Sequence, residues 1–244
     1  MEGRRTGFPI QGGKVIVHEF DFRNEGVIYE EKGVKISSFP AIHILDGSVS
    51  FRLDWNGRSF VFGGDSYPNK WFIKHAKGAE LVVHECFFTP ETLEKILGTP
   101  YAQAVFITSY IHTPPSGFGK LMSAVKPRLA VGYHTIRRPE LDQLMLEEIR
   151  TTYDGPLAIA NDLMAWTVTK EAIVQREVVS SERVQPPPTT VGYKEAKRSG
   201  EASYSEFIAS GKWKEYVPPP LPEPRPASVA AFLFLEPRTR FLLQ

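Results

Sequence analysis

Four apolar, β-prone segments of this chain each finish on a titratable side chain. "SFVFGGD" ends at Asp65, "ELVVHE" at the His84–Glu85 pair, "QAVFITSYI" runs into His112, and "RLAVGYH" ends at His134. Runs of Val, Ile and Phe bounded by turn residues read as buried strands, and the amphipathic stretches between them read as helices. Antiparallel hairpins giving way to strands that alternate with helices predict a sheet covered by helices, an α/β or α+β layered fold. In such folds the carboxyl edge of the sheet is where crevices are built. The pattern therefore predicts one polar cluster on one edge, with Asp65, Glu85, His112 and His134 as candidate members. Asp65 has a second reading, since an aspartate ahead of "SYP" can cap the helix that follows.

Upstream, "KVIVHEF", "GVIYEE", "VKISSFPAIHI", "SVSFRLDW" and "RSFVFGG" predict consecutive strands, and the Asn-Gly of "DWNGRS" predicts a tight hairpin. Helices are expected near 68–77, 90–97, 116–124 and 139–151, with "QAVFITSYI" as a strand between the second and third. "LAIA" and "MAWTV" are expected to close the unit as two short strands. After residue 180 the periodicity fades and prolines gather in "VQPPPTT" and "VPPPLPEPRPAS". Residues 1–180 are thus expected as the folded domain and 181–244 as an extended, Pro-rich tail that wraps the domain or a partner. Within that tail "YSEFIASGKW" predicts one short helix, and the last segment, "AAFLFLEPRTRFLLQ", is apolar enough either to dock somewhere or to be an aggregation-prone end.

Charge excludes some classes. Lys and Arg number 29 against 28 Asp and Glu, a net +1, so no overall field steers the chain to nucleic acid or a membrane. No Lys/Arg run interleaves with aromatic residues as a nucleic-acid stacking groove requires. The single cysteine, Cys86, rules out an internal disulfide and a zinc ribbon, and reads as a small buried residue. The opening "MEGRRTGFPIQGGK" has no apolar leader core, and no apolar run is long enough to span a membrane, so the expectation is a cytoplasmic protein. Of the remaining histidines, His18 sits mid-strand and His75 mid-helix, positions that suggest structure or surface. His43 ends "SSFPAIH" and can face a cavity or sit hydrogen-bonded in its hairpin.

"FVFGGDSYPNKWFIKHAKGAELVVHECFF" resembles the second half of a metallo-β-lactamase-fold hydrolase of the ribonuclease Z and arylsulfatase-like branch. "IHTPPSGFGKLMSAVKPRLAVGYHT", "PLAIANDLMAWTV" and the hairpin "FPAIHILDGSVSFRLDWNGRSFVF" resemble further motifs of that branch, in order, over about residues 14–177. The resemblance implies an αββα layered fold of which mainly the second half is here, and a metal-dependent hydrolase acting on a phosphodiester or related ester. It implies that Asp65 bridges two metal ions, usually zinc, that His134 completes the second ion's shell, and that Glu85 and His112 assist proton transfer to the leaving group. It places His43 in the substrate cavity, and it casts Gly63 and Gly64 as room for the backbone to approach the metals. The substrate would be a small-molecule or nucleic-acid ester.

One family motif is missing. No two histidines of this chain are separated by a single residue, so the principal metal motif H-x-H-x-D-H does not occur. The resemblance then implies an N-terminally truncated form in which two ligands hold zinc weakly or not at all. The competing expectation is a non-catalytic half-fold, a binding or structural module completed by a partner chain or by a second copy through the Pro-rich tail.

Overall fold

The computed structural model describes residues 16–135, 139–177 and 204–222. Seven strands form one mixed sheet in sequence order. The first four, β1 (Gly26–Glu31), β2 (Val34–Pro40), β3 (Val49–Trp55) and β4 (Arg58–Phe62), make an antiparallel meander. Asn56 and Gly57 turn β3 into β4 with positive φ of 47° and 68°, as the Asn-Gly signal requires. From β4 onward the sheet is parallel: β5 (Leu81–Glu85), β6 (Leu129–Tyr133) and β7 (Leu157–Ile159) follow one another with helical crossovers. A separate hairpin, β8 (Ala165–Val168) and β9 (Ile173–Arg176), follows, and β9 adds a strand to the two, "LAIA" and "MAWTV", expected to close the unit.

Alternation along the central strands sorts their side chains between the two faces. Val61, Val82 and Ala130 share one face and are fully buried beneath α1 (Lys70–Ala76), α4 (Pro115–Val125) and α5 (Pro139–Arg150). Phe72, Phe118, Leu121, Met122 and Ile149 fill that layer at 0 % exposure, each side chain worth roughly 1.5–3 kcal/mol of burial. Phe60, Phe62, Val83 and Leu129 point to the opposite face and are only half-buried. Helix α1 starts where Asn69 caps it, its Oδ1 accepting from Phe72 N at 2.8 Å. Asp65 is therefore not the cap, and it is free for another role.

Two segments depart from the expected elements. From Ile16 on, the expected strand "KVIVHEF" has no regular structure, and its exposed residues find no strand to pair with among the described residues. "QAVFITSYI" is helical: after α2 (Pro90–Leu97) come α3 (Tyr101–Phe106) and a π-helical turn, Ile107–Ile111. A continuous apolar run reads alike as a buried strand or a buried helix, and here Ala104, Val105, Thr108, Ser109 and Ile111 are buried at helical spacing. Part of the stretch expected as a tail lies on the domain. "YSEFIASGKW" forms α6 (Glu206–Ala209), with Ile208 at 0 % and Tyr216 at 5 % exposure. The segment "AAFLFLEPRTRFLLQ" and the stretch "VQPPPTT" lie outside the described residues.

Candidate metal centre

The carboxyl ends of β4, β5 and β6 place the site. Strand β4 gives way to Gly63-Gly64, and the chain then turns through Asp65 and Ser66. Gly63 makes that exit possible, because a Cβ there would collide with the ring of His84. The glycine thus makes room for a core histidine and not, as the sequence suggested, for a metal pocket. Gly64, at φ +67°, takes the left-handed conformation that turns the chain.

Strand alternation separates the His84–Glu85 pair. His84 faces the helices, wholly buried between Phe72 and Phe118, and its Nδ1 lies 2.8 Å from Glu85 O. Burial pushes its pKa down to about 4, so it is neutral at ordinary pH. Glu85 turns the other way, into the site, yet is also fully buried. Its Oε1 accepts the backbone N–H of Ser66, and its Oε2 lies 2.7 Å from His112 Nδ1. Burial raises its pKa well above the usual carboxylate range, against the pull of the Ser66 N–H.

His112 leaves the π-helical turn in extended conformation, its N–H donating to Ile107 O at 3.1 Å. Such wide turns re-aim the residues around them and recur at functional sites. With Nδ1 engaged by Glu85, Nε2 is the nitrogen left to face the cluster. His134, immediately after β6, has φ +64°, a conformation that costs of order 1 kcal/mol in a residue with a Cβ. Its Nε2 lies 3.5 Å from Asp65 Oδ2, and Tyr133 Oη donates to Asp65 Oδ1 at 3.3 Å. The ring of Phe87 stacks on His112 at 4.2 Å and on His134 at 5.2 Å, holding both imidazoles roughly parallel.

Asp65, His112 and His134 bring one donor atom each within 4.8 Å of one another. His43 stands beside them, its ring 5.0 Å from that of His112. Burial depresses the pKa of all three histidines, His112 to about 4, so each presents a neutral ring with a free lone pair. An open depression of about 560 Å³, lined by Phe62, Val83, Tyr133, His134 and Asn161, adjoins the cluster. His18 and His75 lie elsewhere: His18 is exposed, and His75 stacks on Phe39 and meets Glu25. Cys86 is buried against Gly132.

The donor set suits a divalent ion such as zinc. Two ligands on one tetrahedral zinc sit about 3.4 Å apart for bonds of about 2.1 Å, close to the Asp65–His134 spacing. The resemblance implied Asp65 and His134 as ligands and assigned His112, with Glu85, to proton transfer and not to the metal.

No family model and no curated protein matches the sequence. Among solved structures, the metallo-β-lactamase fold protein YhfI from Bacillus subtilis is 16 % identical with TM-score 0.43, over 58 % of this chain and 51 % of that one. Human tRNase Z, short form, is 15 % identical with TM-score 0.38, over 56 % of this chain and 44 % of that one. The chain resembles metallo-β-lactamase fold proteins. It spans about half the length of each of these two structures. At such low identity the likeness is one of fold, a mixed sheet with helices, and the chemistry has to be read from the side chains. No helix among the described residues is long and apolar enough to cross a membrane.

Proposed function

We propose that the chain holds one divalent metal ion, zinc by the chemistry of its donors, and takes part in hydrolysis of a phosphodiester or related ester. The observation that carries this reading is the meeting of Asp65, His112 and His134 within 4.8 Å. Two neutral imidazoles and a carboxylate are the three-ligand set of a catalytic zinc, which keeps a fourth position open. When bound, the ion supplies Lewis acidity for water activation and for the charge that develops on an ester oxygen.

The chain's own residues do the rest. Asp65 and His134 form the near edge of the site. Glu85 is a positioning residue: its bond to His112 Nδ1 fixes the ring so that Nε2 faces the ion, the arrangement that orients metal-bound histidines generally. His43 lies next to His112 and outside the ligand set, which supports a substrate-contacting role for it. Sequence resemblance alone casts His112 as an acid/base group, and one experiment separates the two roles.

Zinc is titrated into the chelator-treated protein, and bis(4-nitrophenyl) phosphate serves as substrate probe. The native chain is expected to bind about one zinc, and His112→Ala to lose it. Metal retained by His112→Ala, with a rate lowered about 10²–10⁴-fold, would return His112 to the acid/base role. A native chain that binds no zinc would overturn the reading.

A further inference from the structure

The segment Tyr204–Tyr216 is distant in sequence from the site and lies directly behind its turn. Lys70 N donates to Gly211 O at 2.8 Å and Trp213 N to Pro68 O at 3.1 Å, around an antiparallel bridge between Asn69 and Lys212. The ring of Tyr216 meets that of Tyr67 edge-on at 5.2 Å, and the Lys212 ammonium sits 5.5 Å over the same Tyr67 ring. Gly211 presses so closely on Trp71 that a Cβ there would overlap the indole. Farther along, Tyr110 Oη donates to Pro219 O at 2.9 Å, two residues before His112. One segment thus fastens both the turn that carries Asp65 and the turn that carries His112.

The turn is also tied to the chain after β2, where Tyr67 N donates to Ile42 O at 2.8 Å and Ile42 N to Ser66 Oγ at 3.3 Å, so the segment braces it from one further side. Inside, Ser66 N–H donates to Glu85, and Thr113 Oγ1 donates to Ser66 O. A shift of the Ser66–Tyr67 backbone would therefore move Asp65, Glu85 and the start of α4 together. Tyr216 is the buried anchor of the segment, and its hydroxyl has no hydrogen-bond partner among the described residues. It is the ring, packed on Tyr67, that braces the turn.

We infer that Tyr204–Pro222 is a brace for the metal-holding turns, with Tyr216 as its positioning residue. The inference rests on the metal reading of Asp65 and His112 for its consequence, and on packing alone for its existence. The test reads both, using the full chain. Zinc affinity is measured by titration, and backbone amide exchange is followed in the metal-free protein at Ser66 and Tyr67, with Val82 and Val131 as reference.

Tyr216→Ala is expected to weaken zinc binding and to speed exchange at Ser66 and Tyr67, each about tenfold, with the strand amides unchanged. Tyr216→Phe keeps the ring and is expected to behave as the parent. Ile149→Ala, a core deletion on the buried face of α5, is expected to lower the melting temperature and leave zinc affinity and turn exchange alone. Should Tyr216→Ala fail to fold, Tyr110→Phe removes only the Pro219 bond and is expected to speed exchange at the His112 amide about threefold. Parental zinc affinity and parental turn exchange in folded Tyr216→Ala would overturn the inference, as would parental His112 exchange in Tyr110→Phe where Tyr216→Ala does not fold, or Ile149→Ala reproducing the effects expected of Tyr216→Ala. Faster turn exchange in a chain that binds no zinc would uphold the brace and remove only the metal reading.

Discussion

The two ends of the parallel strands β4, β5 and β6 each gather ionisable groups, and they do opposite things with them. At the amino end, Glu80 is flanked by Arg58 and Arg128, whose guanidinium groups both reach its Oε1, and Arg128 also donates to Thr169 O at 2.7 Å. Charge meets opposite charge there, at half-exposed positions. At the carboxyl end, Asp65, Glu85, His43, His112 and His134 are brought together, and Asp65 has no lysine or arginine partner among the described residues. A collection of lone pairs with no resident cation is costly to assemble, the more so around a buried carboxyl and a histidine at positive φ. A positive ion is what would balance it. The amino end is an ion-pair cluster that carries its own cations, although Glu80 Oε2 has no hydrogen-bond partner among the described residues, and the carboxyl end is a set of donors without one.

Substitutions that remove one carboxylate from each end should separate these two readings. Asp65→Ala is expected to abolish zinc binding and, with it, hydrolysis of the phosphodiester probe, because Gly64 and Ser66 offer no replacement anion. Glu85→Gln keeps a hydrogen bond to His112 but loses the carboxyl group that orients the ligand. Zinc affinity, measured by titration, is expected to fall about 10–100-fold.

The acid lability of the carboxyl end gives the next effect. His84 has a folded pKa of about 4, below its unfolded value of about 6.5, so protonation favours the unfolded chain. Its contribution is whole above about pH 6.5 and is lost as pH falls toward 4. Between pH 7 and 5 the unfolding free energy from urea titrations is expected to drop by about 2 kcal/mol through this residue, a share that His84→Leu should remove. At the amino end, Glu80→Gln is expected to cost only about 1 kcal/mol and to leave zinc binding untouched. Loss of metal binding in Glu80→Gln would erase the contrast between the ends.

Much of the carboxyl end was legible because strand periodicity is local. Asp65 and His134 each follow an apolar run, and that order alone placed them on one edge, 3.5 Å apart in the structure. The same alternation sends His84 into the helix layer and Glu85 into the site, a consequence of neighbouring residues in a strand facing opposite ways. His112 was found by position but for the wrong reason. "QAVFITSYI" is rich in β-branched residues, and only tertiary burial beneath its neighbours makes it helical with a π-helical exit. Gly63 carried a correct signal, close approach, whose partner was a histidine ring and not a metal. The brace was least legible. "YSEFIASGKW" announces a short helix, but nothing in it or in the residues after it tells which surface Ile208 and, farther on, Tyr216 will cover, because that contact is set by the fold of residues far away in the chain.

The most direct test of the donor-set reading is a crystal of the zinc-loaded chain with an anomalous difference map at the zinc edge. One peak is expected, about 2 Å from an oxygen of Asp65 and from Nε2 of both His112 and His134, with the Glu85–His112 bond kept. A map with no peak at the carboxyl ends of β4 to β6, or with zinc bound elsewhere, would contradict it.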